Sequence, residues 1–237
     1  MTILSIADSE FLPRLETLAG SIARNAPWAR LHAYLVNVQA DLGDRLRRIH
    51  SPTDLTYVEE ELDSTVVKMG MDWATRYTEK AGFCVNLRGR AMLSLLREGR
   101  ERVLFVDADT IVRGDLAPLL SLIDAHDLVI HMRPKEKDYK RVAGGVIGIR
   151  PTPAGLELAE RVATHIAAFG DRDYFSDQRA VHQAMQEMGD RLRVAHLPAA
   201  FIDWKFDDSS AIWVGKGTTK FSEKYLAEER RYAPHFP

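Results

Sequence analysis

Residues 102–112 read Arg102-Val103-Leu104-Phe105-Val106-Asp107-Ala108-Asp109-Thr110-Ile111-Val112, and this stretch decides the fold. Val103 to Val106 is a short apolar run of the kind needed by a parallel strand covered on both faces. Two carboxylates follow at once, where that strand must end. Open α/β sheets bind ligands outside the carboxyl ends of their strands, so Asp107 and Asp109 stand where chemistry is expected. With only Ala108 between them, both side chains can converge on one hard cation if the chain turns after Asp107. Mg²⁺ or Mn²⁺ held by one or two carboxylates takes its remaining ligands from water and phosphate oxygens. A plainer role competes, because Asp109 and Asp115 also suit the cap of a helix starting near Leu116. Placement directly after an apolar strand in mid-chain favours the metal–phosphate reading.

Outward from that strand, short apolar segments alternate with amphipathic helices, the pattern of βαβ units and a mainly parallel central sheet flanked by helices. Strands are expected at 2–7, 31–38, 55–58, 128–131, 146–150 and 192–197. Helices are expected at 10–23, 41–49, 116–123, 154–169, 174–188 and 222–231, with a long one over 72–97 that Gly82 and Gly89 interrupt. Residues 133–140 are charged and lack apolar period, so they read as an exposed loop. No repeat, low-complexity linker or break in composition divides the 237 residues, which implies a single α/β domain.

Composition narrows the function. A hydrophobic content of 46% beside 28% charged residues suits a soluble protein with a sizeable core. The net charge of -2 argues against nucleic acid as a partner and confines any phosphate binding to a local site. One cysteine, Cys84, excludes an internal disulfide and fits a packing residue in a reducing compartment. No apolar run approaches the ~18 residues of a membrane span, and the start lacks a charged signal-peptide lead. A soluble cytoplasmic protein is expected.

Three further segments carry chemistry. Paired glycines in Ala143-Gly144-Gly145-Val146 precede an apolar run, where they either bring backbone close to a ligand or make a tight turn. Ser176-Asp177-Gln178 opens a helix; Asp177 and Gln178 can face a pocket, or Ser176 or Asp177 can cap the helix. Trp213-Val214-Gly215-Lys216-Gly217-Thr218-Thr219-Lys220 joins lysines, glycines and hydroxyls, which suits a diphosphate or a flexible surface loop.

In this order the segments resemble the GT-A-fold nucleotide-sugar glycosyltransferases, most closely the retaining type that includes glycogenin and the lipopolysaccharide galactosyltransferases. Ala7-Asp8-Ser9-Glu10-Phe11-Leu12 resembles the first-strand end that meets base and ribose, and Val103–Leu116 the metal-binding DxD segment. Gly144 and Gly145 match the glycine turn, Asp177 and Gln178 the pair near the reacting carbon, and Gly215 and Lys220 the late phosphate loop. The resemblance implies a GT-A (Rossmann-like) domain with a nucleotide-binding half over about 1–125 and an acceptor-side half over about 126–237. It implies Asp177 and Gln178 as the catalytic pair. Donor contacts are implied for Ala7, Asp8, Arg90 (or Arg88), Asp107, Ala108, Asp109, Gly144, Gly145, Gly215, Lys216 and Lys220, with Mn²⁺ or Mg²⁺ on Asp107 and Asp109. A nucleoside diphosphate sugar, UDP favoured, would serve a saccharide or lipid-linked saccharide acceptor in surface polysaccharide or glycoconjugate synthesis. The chain departs from the pattern where Ile212 replaces a histidine metal ligand and Ala143 an asparagine. Asp207, Asp208, His196 or water would have to substitute for that histidine.

Rival readings remain at this stage. Asp107-Ala108-Asp109-Thr110 also fits the nucleophile motif of haloacid-dehalogenase-like phosphatases, with Asp207 and Asp208 as the later acidic pair. That motif normally lies on the first strand, and about a hundred residues precede it here. A sugar nucleotidyltransferase would need a glycine-rich loop after the first strand, which is missing. A catalytically inactive nucleotide-sugar-binding domain draws support from Ile212 alone. Lys224, Arg230, Arg231, Tyr232 and Phe236 are a candidate for peripheral membrane contact, offset by Glu223, Glu228 and Glu229.

Overall fold

Residues 1–65, 67–69, 76–137, 140–170 and 172–234 are described by the computed structural model. In chain order the first elements are β1 (Thr2–Asp8), α1 (Leu12–Asn25), β2 (Arg30–Val36), α2 (Ala40–Ile49), β3 (Thr53–Val58), β4 (Val67–Met69), β5 (Arg76–Thr78), α3 (Glu79–Arg97) and β6 (Val103–Val106). They continue as β7 (Thr110–Val112), α4 (Ala117–Ala125), β8 (Leu128–Met132), β9 (Val142–Ile149), α5 (Pro153–Phe169), α6 (Ser176–Met188), β10 (Val194–His196), β11 (Ile212–Val214) and α7 (Glu223–Tyr232).

Seven strands form the central sheet in the order β10-β8-β9-β6-β1-β2-β3. All pairings are parallel except those of β9, which runs antiparallel to both β6 and β8. Period-two alternation divides each central strand between two cores. Ile3 and Ala7 of β1 with Leu104 and Val106 of β6 join one, beneath α1, α2 and α4; Leu4, Ile6, Val103 and Phe105 join the other, beneath α3, α5 and α6. The expected fold class therefore holds, a mostly parallel sheet flanked by helices.

Several boundaries differ from expectation, each for a physical reason. The helix expected from residue 72 starts at Glu79, where the Thr78 side chain accepts the Ala81 N–H (3.2 Å), while Arg76–Thr78 pairs with Val67–Met69. Residues 72–75 of that expectation lie outside the described residues. Gly82 and Gly89 do not interrupt α3. A Cβ on Gly89 would stand 2.6 Å from Ile166 Cδ1, so this glycine lets α3 and α5 approach. Gly144 and Gly145 lie inside β9 rather than in a turn before it. The ribbon of β7 with β11 was not anticipated, since three-residue strands leave little period to read.

Among the described residues no helix is long and apolar enough to cross a membrane. The C-terminal helix docks onto the body instead. Tyr225 and Tyr232 are buried, and Asn25 donates to the Tyr232 hydroxyl (3.1 Å). Lys224 pairs with Asp208 and Arg231 with Glu228, so Tyr232 is not offered to a lipid surface; Phe236 lies outside the described residues.

Candidate donor-binding site

The site begins where β6 leaves the sheet. Beyond Val106 the Asp107 N–H still donates to the Gly145 carbonyl (3.0 Å), which fixes Asp107 at the sheet's carboxyl edge. Three residues later Thr110 enters the second ladder, opposite Val214, with Val112 opposite Ile212. The Gly215 N–H and the Tyr225 hydroxyl both donate to the Asp109 carbonyl, each at 2.8 Å. Asp107, the buried Ala108 and Asp109 thus occupy the seam between sheet and ribbon, and the ribbon carries the 215–220 loop back over them.

Each carboxylate meets a cation. Lys220 Nζ lies 2.7 Å from Asp109 Oδ2. Arg88 is buried on α3 over the Phe105 ring, with Nη2 3.4 Å from Asp107 Oδ1 and Nη1 3.3 Å from Asp177 Oδ2. Its Nη1 also donates to the Gly144 carbonyl, and its Nε donates to the Val85 carbonyl (2.6 Å). Asp177 arrives there because α3 clamps the start of α6. Asn86 accepts the Asp177 N–H (2.9 Å) and donates to the Asp173 carbonyl (2.8 Å). Phe175, the residue before α6, has φ of 76° and supplies no side-chain cap, so neither Ser176 nor Asp177 occupies the cap position. A non-glycine residue in the left-handed region costs of order 1 kcal/mol, and packing here outweighs it.

Gly144 and Gly145 provide room rather than unusual backbone angles. A Cβ at Gly144 would stand 2.5 Å from Arg88 Nη1 and 2.9 Å from Asp177 Oδ2; one at Gly145 would stand 2.9 Å from Asp107 Oδ2. A third of the Asp107 side chain stays accessible, yet crowding protein atoms strip water from its carboxyl. That loss of water, opposed by Arg88 and reinforced by Asp109 and Asp177, pushes Asp107 up to about 6. Burial likewise raises Asp177 against the opposing Arg88 charge.

The other expected site residues are placed as follows. Asp8 ends β1 beside buried Ala7, its Oδ1 accepting the N–H groups of Glu10 and Phe11 and its Oδ2 3.3 Å from Lys80 Nζ. Arg90 is exposed, against the Phe83 ring, and lines a surface depression with Ser94 and Arg97; Arg88 holds the inward place assigned to it. Lys216 is turned toward Trp204, its Nζ 4.5 Å from the ring centroid, while Lys220 faces the carboxylates. Gln178 Oε1 accepts from Arg133 Nη2 (2.7 Å). Arg133, Asn86 and Trp204 were missed because each belongs to no motif and gains meaning only from its neighbours in space.

A divalent metal fits part of this donor set. Asp107 and Asp109 offer hard oxygens, and the absent Cβ of Gly145 leaves space against Asp107. The third protein ligand is not replaced. Ile212 is wholly buried in the apolar core, Asp207 is occupied by Ser209, and Asp208 by Arg113 and Lys224. His196 packs on His131. Among the described residues no three His, Cys, Asp or Glu side chains are grouped to hold an ion, so Asp207 and Asp208 form no phosphatase-like metal site with Asp107 either.

Comparison with known proteins agrees with this architecture. The chain is similar to the LgtC galactosyltransferase solved in complex with donor and acceptor sugar analogs, at a TM-score of 0.66 and 15% identity, over 99% of this chain and 97% of that one. It is similar to the glycosyltransferase GlyE of Streptococcus pneumoniae TIGR4 (TM-score 0.64, 13% identity, 99% of this chain and 60% of that one). Mouse xyloside xylosyltransferase 1 in its apo form also matches (TM-score 0.55, 12% identity, 92% and 99%). At such identities the likeness shows the GT-A fold. No curated protein matches the chain in sequence. Residues 61–227, well over half of the chain, match the family described as nucleotide-diphospho-sugar transferase, and the protein belongs to that family.

Proposed function

We propose that the protein moves a sugar from a UDP-sugar to a hydroxyl of a saccharide or lipid-linked saccharide, with retention of configuration, in surface polysaccharide or glycoconjugate synthesis. The observation that carries this reading is the convergence of Asp107, Asp109, Lys220, Gly145 and Gly215 at the seam between sheet and ribbon. Asp107 and Asp109 would hold Mn²⁺ or Mg²⁺, which when bound offsets charge on the leaving diphosphate. Lys220 releases part of its hold on Asp109 to meet the same phosphates, and the Gly215 loop closes over them.

Gly144 and Gly145 leave room for the donor sugar beside β9, and Gln178, steadied by Arg133, orients it. Asp177, tied to Arg88, fixes the site's electrostatics. The acceptor oxygen bonds to the anomeric carbon as the bond from that carbon to the diphosphate oxygen breaks. A phosphate oxygen of the leaving group takes the acceptor's proton.

Thermal unfolding with UDP, GDP and CMP, each with and without Mn²⁺, tests the reading. A ligand at ~100 times its Kd adds about 2.7 kcal/mol of stability. Stabilisation by UDP that grows with Mn²⁺, together with hydrolysis of a UDP-sugar, is the expected result. Binding with no turnover of any sugar nucleotide would leave a binding domain, and no nucleotide response at all would overturn the donor assignment.

A further inference from the structure

Along the carboxyl edge of the sheet, β9 separates the donor carboxylates from a second cluster on β8 and β10. His131 at the end of β8 lies opposite Ala143, one residue before the glycine pair, and His196 ends the adjoining β10. The imidazoles are tilted 40° to one another with centroids 4.8 Å apart, and Trp204 meets His131 edge-on at 5.5 Å. Backbone contacts fix both tautomers. His131 Nδ1 donates to the Leu197 carbonyl (3.2 Å), and His196 Nδ1 accepts the Met132 N–H (3.3 Å). Each ring thereby keeps Nε2 for something else, as a lone pair on His131 and an N–H on His196.

Two cations border this aromatic cluster. Lys216 Nζ rests on the Trp204 ring, and Arg133 reaches Gln178 Oε1 and the Val142 carbonyl with Nη2. Arg133 Nε is buried without an acceptor among the described residues. Lost hydration lowers the pKa of both, and the Arg133 and Lys140 charges depress Lys216 further; Glu136 opposes both shifts and Asp177 opposes that of Arg133. Like charges crowded beside an unsatisfied donor, next to the group expected at the reacting carbon, are a place for an anion.

We infer that this rim binds the acceptor, and that the acceptor is an anionic saccharide whose carboxylate or phosphate sits between Arg133 and Lys216 while its ring packs on Trp204 and the His131–His196 pair. Sugar rings present apolar C–H faces to aromatic side chains and hydroxyls at their edges, which matches an aromatic floor fringed by imidazole Nε2 groups. The inference rests on the transferase reading and names its second substrate.

Two measurements test it. In the first, calorimetry with UDP and Mn²⁺ present compares methyl glucoside, methyl glucuronide and a methyl glucoside phosphate. The glucuronide or the phosphate should bind and the neutral sugar should not, and the better of the two identifies the anion. In the second, UDP-sugar consumption is followed with the same three acceptors in the parent and in Arg133→Gln. Truncating one side of a charge-assisted contact should raise the anionic acceptor's KM ~10-fold or more, and more than it changes the UDP Kd. Equal or better binding of the neutral sugar, or no binding of either anion, overturns the inference. A loss in Arg133→Gln confined to UDP binding also overturns it, because the cluster would then serve the donor. Absence of UDP binding in the parent sinks the transferase reading instead, and the same calorimetry repeated without nucleotide then judges the rim.

Discussion

Two stretches of the sheet's carboxyl edge handle charge in opposite ways. Where β6 stops, three acids and two cations close on one another: Arg88 with Asp107 and Asp177, Lys220 with Asp109. Where β8 and β10 stop, Lys216 rests on the Trp204 ring within reach of the Arg133 charge, with Glu136 opposing both shifts and Asp177 also opposing that of Arg133. The first arrangement fixes positions before any ligand arrives, since each buried charge is held by an opposite one. Crowded cations at the second raise the energy of the empty site and favour whatever neutralises them. The proposed transfer uses both, a rigid seat for the donor diphosphate and an adaptable rim for the acceptor.

Arg88→Met should break the first arrangement most severely. It strands the Asp107 and Asp177 carboxylates, and loss of one partner from a buried ion network costs about 3–5 kcal/mol. Arg90→Met, on the exposed face of the same helix, should stay within ~0.5 kcal/mol of the parent. Urea unfolding of both variants decides the matter, and equal stabilities would show that the network is ornamental. Asp109→Asn comes next. Removing a group that organises charge stabilisation on the leaving diphosphate should lower kcat by ~10²–10³. Lys220 then loses its partner at a cost of about 1–2 kcal/mol, visible as a modest fall in Tm. Full activity in this variant would remove the seam from the donor site.

The difference between the two stretches also explains what could be read in advance. The seam is encoded by neighbours in sequence: an apolar strand, then Asp107 and Asp109, with Gly144–Gly145 and Gly215–Lys220 as compact echoes. Choosing Arg90 as well as Arg88 for the donor reflects a limit of that legibility. Two residues apart on a helix point to different faces, and only packing decides which face is inward. The same limit hid the reach of Lys216, which directly precedes a glycine of positive φ and turns toward Trp204 rather than Asp109. On the proposed acceptor side, His131 with Arg133, then Gln178, His196, Trp204 and Lys216, come from five separate places in the chain. No local pattern joins them. Short strands such as β7 and β11 were illegible for a related reason, since their pairing is a tertiary fact.

Acid tests whether the acceptor half is anchored by charge at its other end. Asp127, buried just before β8, accepts from Thr152 Oγ1 (2.8 Å) and from Arg193 through its N–H (2.9 Å), Nε (3.2 Å) and Nη2 (3.0 Å). Burial alone would raise its pKa, but these bonds prevail and hold it down to about 2. A carboxylate depressed by folding stabilises fully above its unfolded pKa near ~4 and loses that contribution as pH falls toward its folded value. The advantage of the parent over Asp127→Asn should therefore be about 2 kcal/mol at neutral pH and shrink between pH ~4 and ~2. An advantage that ignores pH across this window would assign the stabilisation to shape rather than charge.

Gly145→Ala gives a small expected change in stability and the finest distinction. Its new methyl would stand 2.9 Å from Asp107 Oδ2 and 3.3 Å from Val214 Cγ1. Asp107 is a third accessible and can swing aside, so overpacking should cost only about 1 kcal/mol. Displacing a donor-seat carboxylate by a fraction of an ångström should still lower kcat/KM for the sugar nucleotide by ~10-fold or more. Gly144→Ala meets groups that cannot yield, Arg88 Nη1 at 2.5 Å and Asp177 Oδ2 at 2.9 Å, both pinned inside the ion network. Its penalty should appear mainly in urea stability, whereas that of Gly145→Ala should appear mainly in turnover. Identical profiles for the two neighbours would mean that Asp107 is held as firmly as Arg88 and Asp177, and that the seat has no yielding side.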